Sequence, residues 1–118
     1  MGFEYPGGMK YHWGMQMKSA SPTEAHSAHD LYLIDVREPD EVAQARVEGA
    51  HHIPLGSLAD RLDEVPRDRT VHVMCHAGGR SARATQFLEA QGVDAVNVDG
   101  GITEWHRSGL PVTLGGAA

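Results

Sequence analysis

The apolar runs of this 118-residue chain are too short for helices and too far apart for hairpins. Leu31–Val36, Val71–Met74 and Ala95–Val98 are the clearest, each rich in aliphatic residues and bounded by turn formers, the pattern of a buried strand. Weaker strand signals cover Gln16–Ala20 and Gly49–Ile53. Helical signals fill the gaps. Ser21-Pro22-Thr23-Glu24 reads as a capping box with proline at the first helical position, predicting a helix over about 22–29. Pro39-Asp40-Glu41 opens a second helix, with acids in its first turn and Arg46 near its end. Ser57 caps a third, carrying Leu58, Leu62 and Val65 on one face and stopped by Pro66. A fourth runs over 80–91 to Gly92, and Ile102–Arg107 forms a fifth with Ile102 and Trp105 inward. Strands that alternate with helices are joined by crossovers. The fold class is therefore α/β: a mostly parallel sheet of about five strands with helices on both faces. Ligand sites in such sheets lie at the carboxyl ends of strands, which brings Asp35, Arg37 and Cys75 to one edge.

Cys75 is the single cysteine, and it ends the strand Val71–Met74. His76-Ala77-Gly78-Gly79-Arg80-Ser81 then turns the chain into the fourth helix. Backbone N–H groups at a helix start have no intrahelical partner, and together with the helix dipole they favour a nearby anion. A free thiol titrates near ~8.5 and is only a few per cent ionised at neutral pH, but helix N-termini and neighbouring cations lower that value. Gly78 and Gly79 let the amides curl toward the sulfur. Arg80 and Arg83 add positive charge, and no acid occurs between Val71 and Leu88. An inert core cysteine has no use for such a turn. Cys75 is the candidate nucleophile.

The stretch Cys75-His76-Ala77-Gly78-Gly79-Arg80-Ser81 resembles the active-site loop of the rhodanese-like sulfurtransferases, C-x-x-G-x-R or C-x-x-G-x-S. Asp35-Val36-Arg37 resembles the family's D-x-R motif, Gly49-Ala50-His51-His52-Ile53-Pro54 its G-A-x-x-I-P segment, and Gly100-Gly101-Ile102-Thr103-Glu104-Trp105 its closing G-G-x-x-x-W. All occur in the family's order across residues 31–113. The resemblance implies a thiosulfate sulfurtransferase (rhodanese) type of enzyme. Its Cys75 thiolate attacks a sulfane sulfur and carries it as a persulfide, while residues 76–81 bind the anionic substrate and Asp35 and Arg37 support the loop. Two arrangements are open to Arg80, on the donor's anionic group or turned away to pin the loop to a carboxylate. Ser81 is either a donor to the site or a helix N-cap. A non-enzymatic persulfide relay or sulfide-sensing module is the competing reading. The loop is C-x4-R, whereas cysteine phosphatases and arsenate reductases use the wider C-x5-R.

One cysteine cannot discharge a persulfide internally, so the expected partners are a small anionic sulfur donor and an external thiol or thioredoxin-like acceptor, with cyanide serving in an assay. The formal net charge of −6 argues against a nucleic-acid partner. No apolar run is long enough for a bilayer, and the amino terminus lacks the apolar core of a secretory signal. The chain is expected to be cytoplasmic. No phosphate-binding glycine motif and no C-x-x-C spacing occurs, so no cofactor and no metal are expected. Residues 19–113 form the domain, preceded by an extension, 1–18, and followed by a tail, 114–118. The extension is open to three readings, a short packed arm, a mobile tail or an upstream start, with the mobile tail expected.

Overall fold

The structure, a computed structural model, describes residues 17–115 together with the backbone of two short strands, β1 (Phe3–Tyr5) and β2 (Met9–Tyr11), which pair antiparallel. The expectations for a mobile extension and a C-terminal tail fall largely outside the described residues. The remaining elements follow as β3 (Ser19–Ala20), α1 (Pro22–His26), β4 (Leu33–Asp35), α2 (Pro39–Gln44), β5 (Ala45–Arg46), β6 (His51–His52), β7 (Val71–Met74), α3 (Gly79–Ala90), β8 (Ala95–Val98), α4 (Gly101–Arg107) and β9 (Thr113–Leu114). Five strands form one sheet in the order β3-β8-β7-β4-β6, and every pairing in it is parallel. No helix among the described residues is long and apolar enough to cross a membrane.

Both faces of the sheet are covered, because the strands are apolar on both sides. On one face Ile34, Val71, Val73 and Ala95 pack against Ala84 and Leu88 of α3 and against Leu58 and Val65. On the other, Leu33, Met74 and Val98 meet Ala25 of α1 and Ile102 and Trp105 of α4. Trp105 is the largest fully buried side chain among the described residues, and its indole N–H donates to the Pro111 carbonyl at 3.0 Å, so its polar end is satisfied.

Local signals set most boundaries. Ser21 and Glu24 form the expected capping box, the Glu24 N–H donating to Ser21 Oγ at 3.1 Å and the Ser21 N–H to Glu24 Oε1 at 2.8 Å. Helix α1 is nevertheless shorter than 22–29.

Two expectations are corrected. The second helix stops at Gln44, and Ala45–Arg46 instead pairs antiparallel with β9. Arg37 holds the Ala45 carbonyl at 2.7 Å, and Ala45 is extended with φ −160°, so the helix cannot continue. The third helix is replaced by two 3₁₀ turns, Leu55–Ser57 and Leu62–Glu64. The tighter i→i+3 winding eclipses residues three apart, which puts Leu55 over Leu58 and Leu62 over Val65 against the same core.

Candidate active site

The sheet register places Asp35 opposite Met74, so the chain segments that follow β4 and β7 emerge side by side at the carboxyl edge. The Val36 N–H donates to the Met74 carbonyl at 3.0 Å and continues that pairing beyond the strands. Asp35, Arg37 and Cys75 therefore meet at one edge, as expected of a parallel sheet.

Cys75 directly follows β7 with only 1 % of its surface exposed, as part of the core cluster with Ile34 and Val73. Its sulfur is not left in an apolar environment. The Gly78 N–H donates to Sγ at 3.1 Å. Gly78 is the N-cap of α3 at φ +113°, a left-handed conformation that glycine adopts without Cβ strain. A Cβ there would also press to 3.3 Å on the Gly100 nitrogen. The Ser81 side chain is fully buried in the first turn of α3, so it is not the cap. Its hydroxyl donates to the Gly78 carbonyl at 3.2 Å and also lies within hydrogen-bonding reach of the sulfur. One proton thus has two acceptors, and ionisation of the sulfur draws it there.

Burial pushes the Cys75 thiol up, because a low-dielectric surrounding disfavours the thiolate. The Ser81 hydroxyl and the N–H groups of Ser81, Gly78 and Ala77 work against it, and they prevail: the thiol is held below its ordinary value. The cause lies in donors, mostly from the main chain, aimed at one atom.

Around the cradle, His76, Ala77 and Gly79 are exposed, while Gly78 and Arg80 are half-buried. Of the two arrangements open to Arg80, the structure shows the second. Its guanidinium grips the Glu41 carboxylate of α2 through two parallel bonds, Nη1 to Oε1 at 2.7 Å and Nη2 to Oε2 at 2.8 Å. Bidentate geometry of this kind gives charge-assisted bonds in a fixed orientation.

Behind this pair lies a second one. Arg37 is buried and forks onto Asp35, with Nη2–Oδ2 at 2.8 Å and Nε–Oδ1 at 3.0 Å. The same guanidinium donates to the Glu41 carbonyl at 3.3 Å and the Ala45 carbonyl at 2.7 Å, which ties α2 to the end of β4. His52 adds a bond from Nε2 to the Arg37 carbonyl at 2.7 Å. Because a carbonyl only accepts, Nε2 carries the proton.

Two residues of this arrangement escaped the sequence reading. Gly101 sits where the start of α4 meets the loop. The Ile102 N–H donates to the Cys75 carbonyl at 2.8 Å and the Thr103 N–H to the His76 carbonyl at 3.1 Å. The adjacent Gly100-Gly101 pair was a visible signal for this close approach. Glu41 was legible only as a first-turn acid, since nothing local marks it as the partner of a residue 39 positions away.

The Arg80 guanidinium holds the Glu41 carboxyl at about 2, against an ordinary value of 4.5. With a depressed value in the folded chain, the unfolded chain binds more protons on acidification. The stabilisation is thus present above the ordinary glutamate value and is lost as pH falls from there toward 2. After discounting for solvent screening of a partly exposed pair, it amounts to about 1 kcal/mol. In urea titrations the loss of stability over that acid window is expected to be shallower by this amount in Glu41→Gln than in the parent protein.

The chain is similar to known proteins over most of its length. A family model for the rhodanese-like domain matches residues 19–108. A sulfurtransferase of Allochromatium vinosum is 40 % identical over 84 residues, covering 70 % of this chain and 78 % of that one. The thiosulfate sulfurtransferase GlpE of Vibrio cholerae is 37 % identical over 82 residues, covering 69 % of this chain and 77 % of its own. Among solved structures, a rhodanese-related protein of Thermoplasma volcanium superposes with a TM-score of 0.79 at 33 % identity, covering 83 % of this chain and 99 % of that one. With a family match that takes in the whole five-stranded sheet and the cysteine loop at its edge, the chain belongs to the rhodanese-like domain family.

Proposed function

We propose that the protein is a sulfurtransferase that takes a sulfane sulfur from thiosulfate or a persulfide and hands it to a thiol, or to cyanide in an assay, through a persulfide on Cys75. In the loading step the Cys75 thiolate attacks the outer sulfur of the donor. A sulfur–sulfur bond forms to the enzyme, the donor's own sulfur–sulfur bond breaks, and its electron pair leaves on sulfite or on the donor thiolate. The enzyme persulfide keeps the single negative charge. In discharge an acceptor thiolate attacks that outer sulfur and Cys75 leaves as the thiolate, so no net redox change falls on the protein.

The observation that carries this reading is the buried sulfur accepting the Gly78 N–H at 3.1 Å, with Ser81 and Ala77 as further donors. These donors ease ionisation of the thiol, and a thiolate formed ahead of attack requires no general base. The same amides, together with those of His76 and Gly79, form the cradle for the outer sulfur of the persulfide. Asp35 and Arg37 act at one remove, by fixing α2 and through it the loop. The relatives' names support the reaction class, and one of them names thiosulfate. The chain holds one cysteine, so the acceptor is external to it, a small thiol or a thioredoxin-like protein. The proposed compartment is the cytoplasm, where reduced thiols are abundant.

The test is the intact mass of the protein before and after thiosulfate. A gain of one sulfur atom, reversed by a thiol, is the expected result; an unchanged mass with both thiosulfate and a persulfide donor overturns the proposal. Loop size offers a second check. One residue inserted between Cys75 and Arg80 widens the cradle and is expected to slow sulfur loading at least roughly tenfold, because the amides lose their aim at a single atom.

A further inference from the structure

We propose that Glu41 sets the donor preference of this site: by clamping Arg80 it masks the loop's side-chain cation, and the masked cradle favours a singly charged persulfide over doubly charged thiosulfate. The inference rests on the sulfurtransferase reading above and narrows its donor class.

Arg80 is the one Arg or Lys between Cys75 and Ser81. Left free, its guanidinium would be the natural partner for the far, anionic end of a donor. It is not left free. Each of its terminal nitrogens donates one N–H to Glu41, which neutralises its charge, and the Glu41 carboxylate accepts a third bond from the Glu38 N–H at 2.9 Å. Arg37 clamps α2 from behind through the Glu41 and Ala45 carbonyls. Neither partner can follow a ligand without breaking this set. The pair also persists through the neutral range, since Glu41 stays ionised down to about 2.

The groups that remain to meet a donor are neutral: the N–H groups of the loop and the Ser81 hydroxyl. Those dipoles converge on one sulfur and stabilise one negative charge there. The second charge of thiosulfate sits on the sulfonate end, away from that point of convergence, and requires a counter-cation. Among the described residues, no other Arg or Lys lies within the loop, and the neighbouring elements offer mostly paired or opposite charge. On the α2 side, Glu38 adds a negative field at Arg80, and Arg37 is spent on Asp35. On α4, Glu104 is paired with Arg107. His76 lies exposed on the loop, and Arg83 is exposed one turn further along α3. A persulfide anion, R–S–S⁻, places its one charge on the sulfur that is transferred and needs nothing further.

Glu41→Gln tests this by removing the masking charge while keeping the side chain's length. Two readouts are taken: the pH midpoint of Cys75 alkylation by iodoacetamide, and the ratio of kcat/KM for thiosulfate to that for cysteine persulfide. The unmasked guanidinium is expected to lower the alkylation midpoint by about one pH unit and to raise the thiosulfate-to-persulfide ratio by about tenfold. A merely structural role for Glu41 gives the opposite sign, because a slackened loop moves the midpoint up toward that of a free thiol and slows both donors alike. A raised or unmoved midpoint, or an unmoved ratio, overturns the proposal. The double variant Glu41→Gln/Arg80→Gln carries no charge to unmask and is expected to return the ratio to that of the parent; a ratio that stays high there also overturns it. Failure of both donors to add sulfur to the parent protein defeats the sulfurtransferase reading itself, whereas the alkylation midpoint reads the charge beside Cys75 whether or not sulfur is transferred.

Discussion

A Cys75→Ser variant folds and transfers no sulfur. Serine is nearly isosteric, and its oxygen can take the Gly78 N–H that now meets Sγ at 3.1 Å. The site is 1 % exposed, so a hydroxyl there loses some apolar packing against Ile34 and Val73, at a cost of about 1 kcal/mol. The far-UV spectrum is therefore expected to be unchanged and the urea midpoint only slightly lower. The chemistry does not survive. An alcohol is not appreciably ionised by a few amide donors at neutral pH, and an alkoxide forms no persulfide. Turnover with thiosulfate and cyanide is expected to fall by roughly a thousandfold or more, to the uncatalysed background. The intact mass should show no added sulfur after thiosulfate. Retained loading in this variant would mean that the amide cradle serves some other atom.

Gly101→Ala is expected to abolish the same activity by a different route, through the fold. Gly101 has φ +59°, a conformation that costs a side-chain-bearing residue about 1 kcal/mol or more. The larger effect is steric. A Cβ at this position would lie 2.6 Å from the His76 carbonyl oxygen and 2.7 Å from its carbon, and closer still to the Cys75 carbonyl oxygen. These are backbone atoms with no freedom to rotate aside. Either α4 retreats and the Ile102 and Thr103 amides leave the Cys75 and His76 carbonyls, or the loop itself moves and the donors lose their aim at the sulfur. The combined cost is about 4 kcal/mol, a large share of the stability of a domain this size. Urea denaturation should show the loss directly. Alkylation of Cys75 should become slower at neutral pH, as the thiol reverts toward that of an ordinary cysteine. A stable, fully active Gly101→Ala protein would show that the contact between α4 and the loop is dispensable.

The legible parts of this protein share a short range. Val71–Met74 and Ala95–Val98 are strands with the bounds their apolar runs imply, and Ser21 with Glu24 caps α1 three residues apart. Gly78 turns the chain from strand to helix within a few residues of the thiol it serves. Misreadings occurred where a local pattern suited two structures. Leu58, Leu62 and Val65 match a helical face, but the pairs Leu55–Leu58 and Leu62–Val65 match 3₁₀ turns equally well, and contact with the core selects the turns. Arg46 looked like a basic residue closing a helix. In fact the Arg37 guanidinium ends that helix first, from eight residues before Ala45.

The amino-acid sequence by itself settled the α/β alternation, the parallel sheet it entails, and the delivery of one thiol to the head of a helix. Each follows from hydrophobic period, capping chemistry and turn residues, all interactions among near neighbours on the chain. Only the tertiary structure decided where the charges go. The order β3-β8-β7-β4-β6 sets β4 beside β7, and that adjacency lets α2 reach the cysteine loop, so Arg80 meets Glu41 while Arg37 is buried on Asp35. The same folding lays Gly101 against the Cys75 and His76 carbonyls. An ion pair or a backbone contact between distant residues leaves no periodicity to read, because its partner is chosen by which strands lie side by side and not by spacing along the chain.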